Sequence, residues 1–377
     1  MMKSAFANSS SGSGIEIPDV MTGVLLTGHG GFDKLEYRQD IPVPTPGPGE
    51  VLIRVAAAGI NNTDINTRIG WYSKGVNSAT EAGARQGFET LQDTDATWSG
   101  VPMSFPRIQG GDCCGRIVDV GDGVDASRIG ERVIVRNIIR SYADFRPMEG
   151  WVFGSECDGA FAQYTKAPSH ETDKVECDWS DVELASVPVA YSTAEAMLHR
   201  AAVKRDEHVV ITGASGGVGS AAIQLAKRRG AIVTAIAGAN KLEQLRGLGA
   251  HRVVPRGEDL VKHLGKEVAD VVIDVAAGPG FAALLDVLKK GGRYAVAGAV
   301  AGPIVELDVR TLYLKDLTFF GCTFQPDEVF TNLVSYIENG GIRPFVGNTY
   351  PLKDIVRAQK DFLSKRISGK LVLVIPN

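Results

Sequence analysis

The chain has 377 residues, 44% of them hydrophobic and 22% charged, with a net charge of −4. That length suffices for about two domains with real cores, and the charge gives no reason to expect nucleic acid or a membrane surface as a partner. No apolar run approaches the roughly 20 residues of a spanning helix, and five cysteines, sparse and odd in number, argue against a disulfide framework and for a reducing, cytoplasmic compartment.

The first residues, "MMKSAFANSSSGSG", lack the apolar core of a secretory signal and read as a flexible tail, drawn here to residue 20. After the tail the texture is that of short strands. Pro42, Pro44, Pro46 and Pro48 alternate in "IPVPTPGPGE", which excludes a helix. "EVLIRVAAAGI", "GRIVDVG" and "RVIVRN" are strands separated by glycine turns, so the first half is a β-rich unit.

The second half alternates strand and helix. "HVVIT" (208–212) is apolar and β-branched, as a buried parallel strand should be. Gly213, Gly216 and Gly219 follow at intervals of three. Val218, Ala222, Leu225 and Ala226 then recur at helical spacing. The helix closes on Lys227, Arg228 and Arg229 with Gly230 as cap, and "AIVTAIA" (231–237) is the next strand. A strand, glycine-rich turn, helix and strand can bring backbone N–H groups and a helix N-terminus against a diphosphate. The candidate loop runs Gly213, Ala214, Ser215, Gly216, Gly217, Val218, Gly219; the bland alternative is a tight turn without a ligand.

The end of the second strand bears on the cofactor. An NAD site places an acid there to hold the ribose hydroxyls. This chain has Ala235, Ile236, Ala237, Gly238, Ala239, Asn240 and Lys241 instead. Lys241, with Arg256 further on, would attract a 2′-phosphate, so NADP(H) is preferred over NAD(H); otherwise Lys241 only opens the next helix as a solvated residue. "ADVVIDVA" (269–276) reads as a strand, "GFAALLDVLKKGG" (280–292) as a helix closed by its Lys-Lys-Gly-Gly, and "RYAVAGA" (293–299) and "LTFFGC" (317–322) as strands. The fold class is α/β with a doubly wound parallel sheet, whose carboxyl strand ends near Val275, Gly298 and Ala299 should line the cofactor crevice. Residues 326–341 and 351–370 read as helices, and "LVLVIP" as a final strand returning to the first domain.

In order along the chain, "AAAGINNTDINTR", "GGDCCGRIVDVG", "GASGGVGSAAIQLAK" and "ISGKLVLVIP" resemble the landmarks of the medium-chain dehydrogenase/reductase superfamily, and within it the zinc-independent quinone oxidoreductase and enoyl reductase branches. The resemblance implies a GroES-like catalytic domain (21–184), a Rossmann NADP(H)-binding domain (185–325) and a C-terminal return (326–377). The alcohol dehydrogenase branch uses a catalytic zinc. Its ligand positions fall here on Asn61, on Gly110-Gly111-Asp112 in place of Gly-His-Glu, and on Val189; residues 136–156, where a four-cysteine lobe would lie, contain no cysteine. Cys113 and Cys114 are adjacent, so on a strand they face opposite sides, and Cys157, Cys177 and His170 are scattered. No metal is expected.

"NNTDINTRIGWY" (61–72) resembles a stretch of mitochondrial-type enoyl thioester reductases in which a tyrosine donates the proton. The resemblance makes Tyr72 the candidate acid, with Asn61 and Asp64 as polar positions beside the nicotinamide; a packing aromatic and a turn or cap residue are the alternatives for Tyr72 and Asp64. Thr193 and Lys370 match family positions near the cofactor, or are a helix N-cap and a surface lysine. Between Tyr72 and Pro106 an acidic polar insert, residues 73–105, reads as a lid over the substrate cleft or a solvated loop. The expected function is NADPH-dependent, zinc-independent reduction of quinones or α,β-unsaturated carbonyl compounds. The alternatives are a 2-enoyl thioester reductase with Tyr72 as acid, a zinc-less alcohol dehydrogenase-like enzyme, and a non-catalytic NADPH-binding protein. The resemblance also implies a homodimer, with "LTFFGC" as its pairing edge.

Overall fold

The computed structural model describes residues 16–89, 97–99 and 102–377. Most of the expected tail, and residues 90–96 and 100–101 of the insert, lie outside the described residues.

The first half is organised by the strand Glu50–Ile60, eleven residues long and buried at nearly every position. Its apolar run suits a strand covered on both faces. It pairs antiparallel with Cys114–Val120, Tyr164–Pro168 and Lys370–Val374, so the last strand of the chain completes the first sheet. Cys113 and Cys114 do face opposite sides: Cys113 packs in the β-rich core, and Cys114 in the core shared with the second half.

The second half is a six-stranded parallel sheet in the spatial order Arg252–Pro255, Ile232–Ala237, His208–Ile211, Ala269–Asp274, Leu288–Val296, Thr318–Gly321. Together the two sheets make an α/β molecule with a β-rich part and a doubly wound parallel part. In His208–Ile211, Val209 and Ile211 face one helical layer and Val210 the other, and all three are fully buried. The chain reverses its direction of travel across the sheet between His208–Ile211 and Ala269–Asp274. A ligand crevice opens outside the carboxyl ends of strands at such a switch.

Two expectations are corrected. The helix predicted over 280–292 is Phe281–Val287 only. Leu288 already pairs with Ala269 at the edge of the Leu288–Val296 strand, and Lys289 pairs with Asp270 at 2.8 Å, so the Lys-Lys-Gly-Gly lies within the strand, at its shift of register, and is not a helix end. The helix predicted over 351–370 spans Ile355–Ser364, is preceded by a strand Val346–Pro351, and is followed by a last strand that starts at Lys370. Among the described residues no helix is long and apolar enough to cross a membrane.

Candidate active site

The glycine-rich turn follows directly on the central strand. Gly213 has φ +57°, where a side chain is strained, and a Cβ there would come 2.7 Å from Val275 Cγ2. A Cβ on Gly219 would stand 2.4 Å from the Gly213 oxygen and 2.5 Å from the Ala214 Cα, so the helix could not approach the turn as it does. The helix Gly217–Arg228 starts with Gly216 as N-cap and carries no acid in its first turn. Its free N–H groups and positive dipole end are therefore open to an anion.

A cleft runs along this turn. It brings together the predicted Gly213, Ser215, Gly216, Gly217, Val218, Gly219, Gly238, Lys241, Arg256, Val275, Asn61 and Lys370. Four predicted cofactor residues are not on its lining. Ala214 is fully buried and gives its N–H to the Ile236 oxygen at 3.1 Å, as part of the sheet edge. Thr193 lies within the helix Pro188–Arg200, so it is not a helix N-cap. Gly298 and Ala299 are replaced on the wall by Val300.

At one end of the cleft, cations gather. Lys241 is buried rather than solvated, and its ammonium donates to the oxygens of Lys365 (2.6 Å) and Ile367 (3.3 Å). Desolvation, then the Arg256 charge, lower its pKa. Lys365 and Asn240 complete this end, and sequence reasoning missed both. Lys365 holds a left-handed backbone, φ +54°, just past the helix Ile355–Ser364, with its ammonium 4.3 Å from the Phe362 ring centre. Although the residue is exposed, desolvation of its ammonium lowers the pKa to about 8; Glu81 opposes the fall, and Lys241 and Arg256 add to it.

At the other end stands a buried polar cluster. Lys370, 4% exposed, donates to Asn61 Oδ1 at 2.5 Å, to Asp112 Oδ2 at 2.6 Å and to the Ile60 oxygen at 3.1 Å. Asp112, fully buried, also accepts from Asn61 Nδ2 at 2.8 Å and from the Val189 N–H at 2.6 Å. All three ammonium protons are thus engaged, and both carboxylate oxygens are satisfied. Space is tight: a Cβ on Gly59 would come 2.3 Å from Asp112 Oδ2, and one on Gly111 3.0 Å from Val189 Cγ2. Lys370 also lays its stem against the glycine-rich turn, since a Cβ on Gly217 would meet its Cδ at 2.8 Å.

Asp64 lies beside this cluster but off the cleft lining. It accepts the Asn61 N–H at 2.7 Å, closing a capping box on the helix Asn62–Ile69. Burial pushes its carboxyl up to about 7, against the pull of that bond. Asn62, missed from the sequence, reaches the cleft with its Oδ1 buried and unpartnered.

Tyr72 belongs to a second cavity, of about 880 Å³. Its walls include Tyr72, Trp98, Trp151 and Phe324, and described parts of the insert, Thr97–Ser99 and Pro102–Ser104, contribute. Tyr72 is half-buried and packs edge-on to Trp71 and Trp98. Burial raises its phenol above the ordinary value, while side-chain bonds with Thr63 and Asn66 oppose the rise. The two hollows flank one helix: Asn62 at its start lines the cleft, and Thr63 and Asn66 face Tyr72. They also open at neighbouring strand ends, Val300 after Leu288–Val296 and Thr323 and Phe324 after Thr318–Gly321. Among the described residues no group of three or more His, Cys, Asp or Glu could hold a metal.

Comparison with known proteins agrees with this architecture. Residues 47–176 match the alcohol dehydrogenase GroES-like domain family, and residues 217–339 the zinc-binding dehydrogenase family. A crystal structure of a "putative alcohol dehydrogenase" from Sinorhizobium meliloti 1021 is 46% identical, with a TM-score of 0.84 over 96% of this chain and 98% of that one. Quinone oxidoreductase of Lama guanicoe is 29% identical over 370 residues, 94% of this chain and 98% of the relative. Acryloyl-coenzyme A reductase of Metallosphaera sedula is 28% identical over 367 residues, 94% and 99% of the two chains. The chain belongs to the medium-chain dehydrogenase/reductase superfamily, with quinone oxidoreductases among its relatives. It is accordingly an oxidoreductase of a family that works with a nicotinamide cofactor.

Proposed function

We propose that this protein is an NADPH-dependent reductase of quinones or other conjugated carbonyl compounds, working without a metal ion. The observation that carries the reading is the state of the metal-ligand positions. Asn61, Gly111 and Val189 supply no thiolate, imidazole or carboxylate there, and the polar space between Asn61 and Asp112 is filled by the Lys370 ammonium. The residues present do not fit a zinc ion. A saturated alcohol is hard to deprotonate without such an ion, whereas an activated double bond accepts hydride at one end and a proton at the other.

The residues do fit a nicotinamide dinucleotide. Gly213, Gly216 and Gly219 leave room for a diphosphate at the helix start, and Lys241, Arg256 and Lys365 offer charge to a 2′-phosphate. The bound nicotinamide supplies the hydride. The chain's residues hold and orient. Asn61 and Lys370 fix the wall beside the cleft, Asp64 secures the start of the helix whose first turn borders it, and the unpartnered Asn62 Oδ1 is free to accept an amide proton. The acceptor occupies the aromatic cavity, and one proton from solvent or from the cavity wall completes the hydroquinone or saturated product.

A second reading has a specific observation in its favour. Tyr72 lines the acceptor cavity, and a relative is an acryloyl-coenzyme A reductase, which suits an enoyl thioester reductase with Tyr72 as acid. A homodimer is also proposed: Thr318–Gly321 is an edge strand, and Ile304, Val309, Tyr313 and Leu314 nearby are 59–68% exposed. The deciding assay follows NADPH and NADH oxidation with 1,4-naphthoquinone, a simple enone and crotonyl-CoA, before and after chelator treatment. Turnover of the first two with NADPH, unchanged by chelator, is expected. Turnover of crotonyl-CoA that is lost in Tyr72→Phe would favour the second reading. Loss of activity on chelation that zinc restores would refute both.

A further inference from the structure

A buried carboxylate ties together the strand ends behind the glycine-rich turn. Asp274, the last residue of the strand Ala269–Asp274, is fully buried. Its Oδ1 accepts from the Thr212 hydroxyl at 2.5 Å, from the Ala276 N–H at 2.8 Å and from the Ala277 N–H at 3.1 Å. Its Oδ2 accepts from the Tyr294 hydroxyl at 2.5 Å and shares the Ala277 N–H at 3.2 Å. The two hydroxyl donors are themselves fixed. Thr212 continues the central strand, giving its N–H to the Ile273 oxygen at 3.0 Å, and Tyr294 packs against the Phe281 and Phe319 rings, whose centres lie 5.4 and 5.1 Å away. Each of these partners donates, which is the set an ionised carboxylate takes.

What the carboxylate holds is a wall of the cleft. Val275 lines the cleft and gives its N–H to the Thr212 oxygen at 3.1 Å, so Thr212 passes the hold of Asp274 on to it. Ala277 has φ +51° and ψ −141°, a backbone that a residue with a Cβ rarely takes, and its N–H is bonded to Asp274. The next loop leans on this one. Ala301 gives its N–H to the Ala276 oxygen at 2.9 Å, and a Cβ on Gly278 would come 2.7 Å from the Ala301 oxygen. Val300, beside Ala301, also lines the cleft.

The place of this wall says which half of a dinucleotide it meets. Gly238 and Arg256 follow the strands on one side of the central strand, whereas Val275 and Val300 follow those on the other. A dinucleotide with its 2′-phosphate at Lys241, Arg256 and Lys365 and its diphosphate on the glycine turn therefore brings its nicotinamide toward Val275 and Val300. We propose that Asp274 is a positioning residue for hydride transfer: without touching the cofactor, it holds Val275 and, through Ala276, Val300 in the shape that seats the nicotinamide ring. This rests on the reading of the protein as an NADPH-dependent reductase, and it adds what sets the place of the ring.

The test compares the wild type with Asp274→Ala in calorimetric titrations of NADPH and of 2′,5′-ADP, which has the adenosine half and its phosphates but no nicotinamide. The variant should bind NADPH about tenfold more weakly, and its kcat with 1,4-naphthoquinone should fall at least about tenfold, because a ring displaced by a fraction of an ångström is poorly placed to react. Its 2′,5′-ADP affinity should stay within about twofold, since a change in uniform binding would move both ligands together. Asp274→Asn, whose Oδ1 keeps Thr212, Ala276 and Ala277 as donors and whose Nδ2 can donate to the Tyr294 oxygen, should return NADPH affinity and kcat to within about threefold of the wild type. Where Asp274→Ala does not fold, Thr212→Val, which removes the hydroxyl that joins Asp274 to Val275, carries the same two-ligand comparison. Equal losses for the two ligands, or NADPH affinity and kcat both unchanged, would overturn the assignment. A wild type that binds neither ligand would overturn it together with the reductase reading. A wild type that binds NADPH but turns over no acceptor would sink that reading alone, with the two-ligand comparison still deciding the role of Asp274.

Discussion

Replacing Lys370 by methionine is the most informative single change, because the structure sets what it should cost. The variant removes the ammonium from Asp112, which is fully buried and keeps only the Asn61 Nδ2 and Val189 N–H donors. Breaking a buried ion pair from one side costs roughly 3–5 kcal/mol, since it strands the other charge. Against a typical total stability of about 5–15 kcal/mol, that is a large fraction. Asp112→Asn should cost somewhat less, because Lys370 retains Asn61 Oδ1 and the Ile60 oxygen. The double variant Lys370→Met/Asp112→Asn removes both charges and should lie within about 1–2 kcal/mol of the wild type, a strongly non-additive cycle. Urea unfolding followed by tryptophan fluorescence near pH 7, with no cofactor present, measures all four proteins. Single variants within 1 kcal/mol of the wild type, or a double variant equal to the sum of the singles, would refute the argument that this pair is a self-contained charge cluster.

Three further outcomes are expected. Gly219→Ala should weaken NADPH binding at least tenfold and destabilise by about 1–3 kcal/mol, because its Cβ meets backbone; Gly216→Ala, whose Cβ would stand 3.4 Å from the Gly213 oxygen, should destabilise less. The Lys365 pKa, lowered to about 8, places a protonated lysine in the empty cleft below that pH and a neutral one above it. NADPH affinity should therefore be full below pH 8 and fall above it, toward tenfold per pH unit, while NADH affinity stays flat; Lys365→Ala should remove the slope, and a fluorescence titration from pH 6 to 10 reads it. Leu314→Glu, on the exposed apolar stretch beside the sheet edge, should convert the proposed dimer to a monomer in light scattering and leave the far-UV spectrum unchanged.

What could be read from the sequence was mostly what is local. The glycine turn is legible because Gly219 answers a clash with Gly213 and Ala214 a few residues before it, and Gly213 a positive φ. The opposite facing of Cys113 and Cys114 follows from strand geometry alone. Pairing between distant segments overrode local signals elsewhere. Lys289-Lys290-Gly291-Gly292 has the composition of a helix end, yet Leu288 is drawn into register with Ala269, and the helix stops before it. Lys365 lies 124 positions from Lys241, to which its backbone oxygen is bonded, and nothing local marks it as part of the cleft. Lys370 was placed near the cofactor by resemblance, but its partner Asp112 is 258 positions away.

The closing strand of the chain bears on how the molecule is made. Glu50–Ile60 finds one of its partners in Lys370–Val374, and the Ile60 oxygen is bonded by a lysine 310 positions downstream. During translation the amino-terminal half must wait, with Ala57–Ile60 bare on one flank of its central strand, until residues some 310 positions downstream have been made. The parallel sheet, built from one continuous stretch, is under no such delay and can condense first. A bare strand flank invites mispairing between nascent chains, so recovery of folded enzyme should depend more on holdase chaperones than the size of either half alone would suggest.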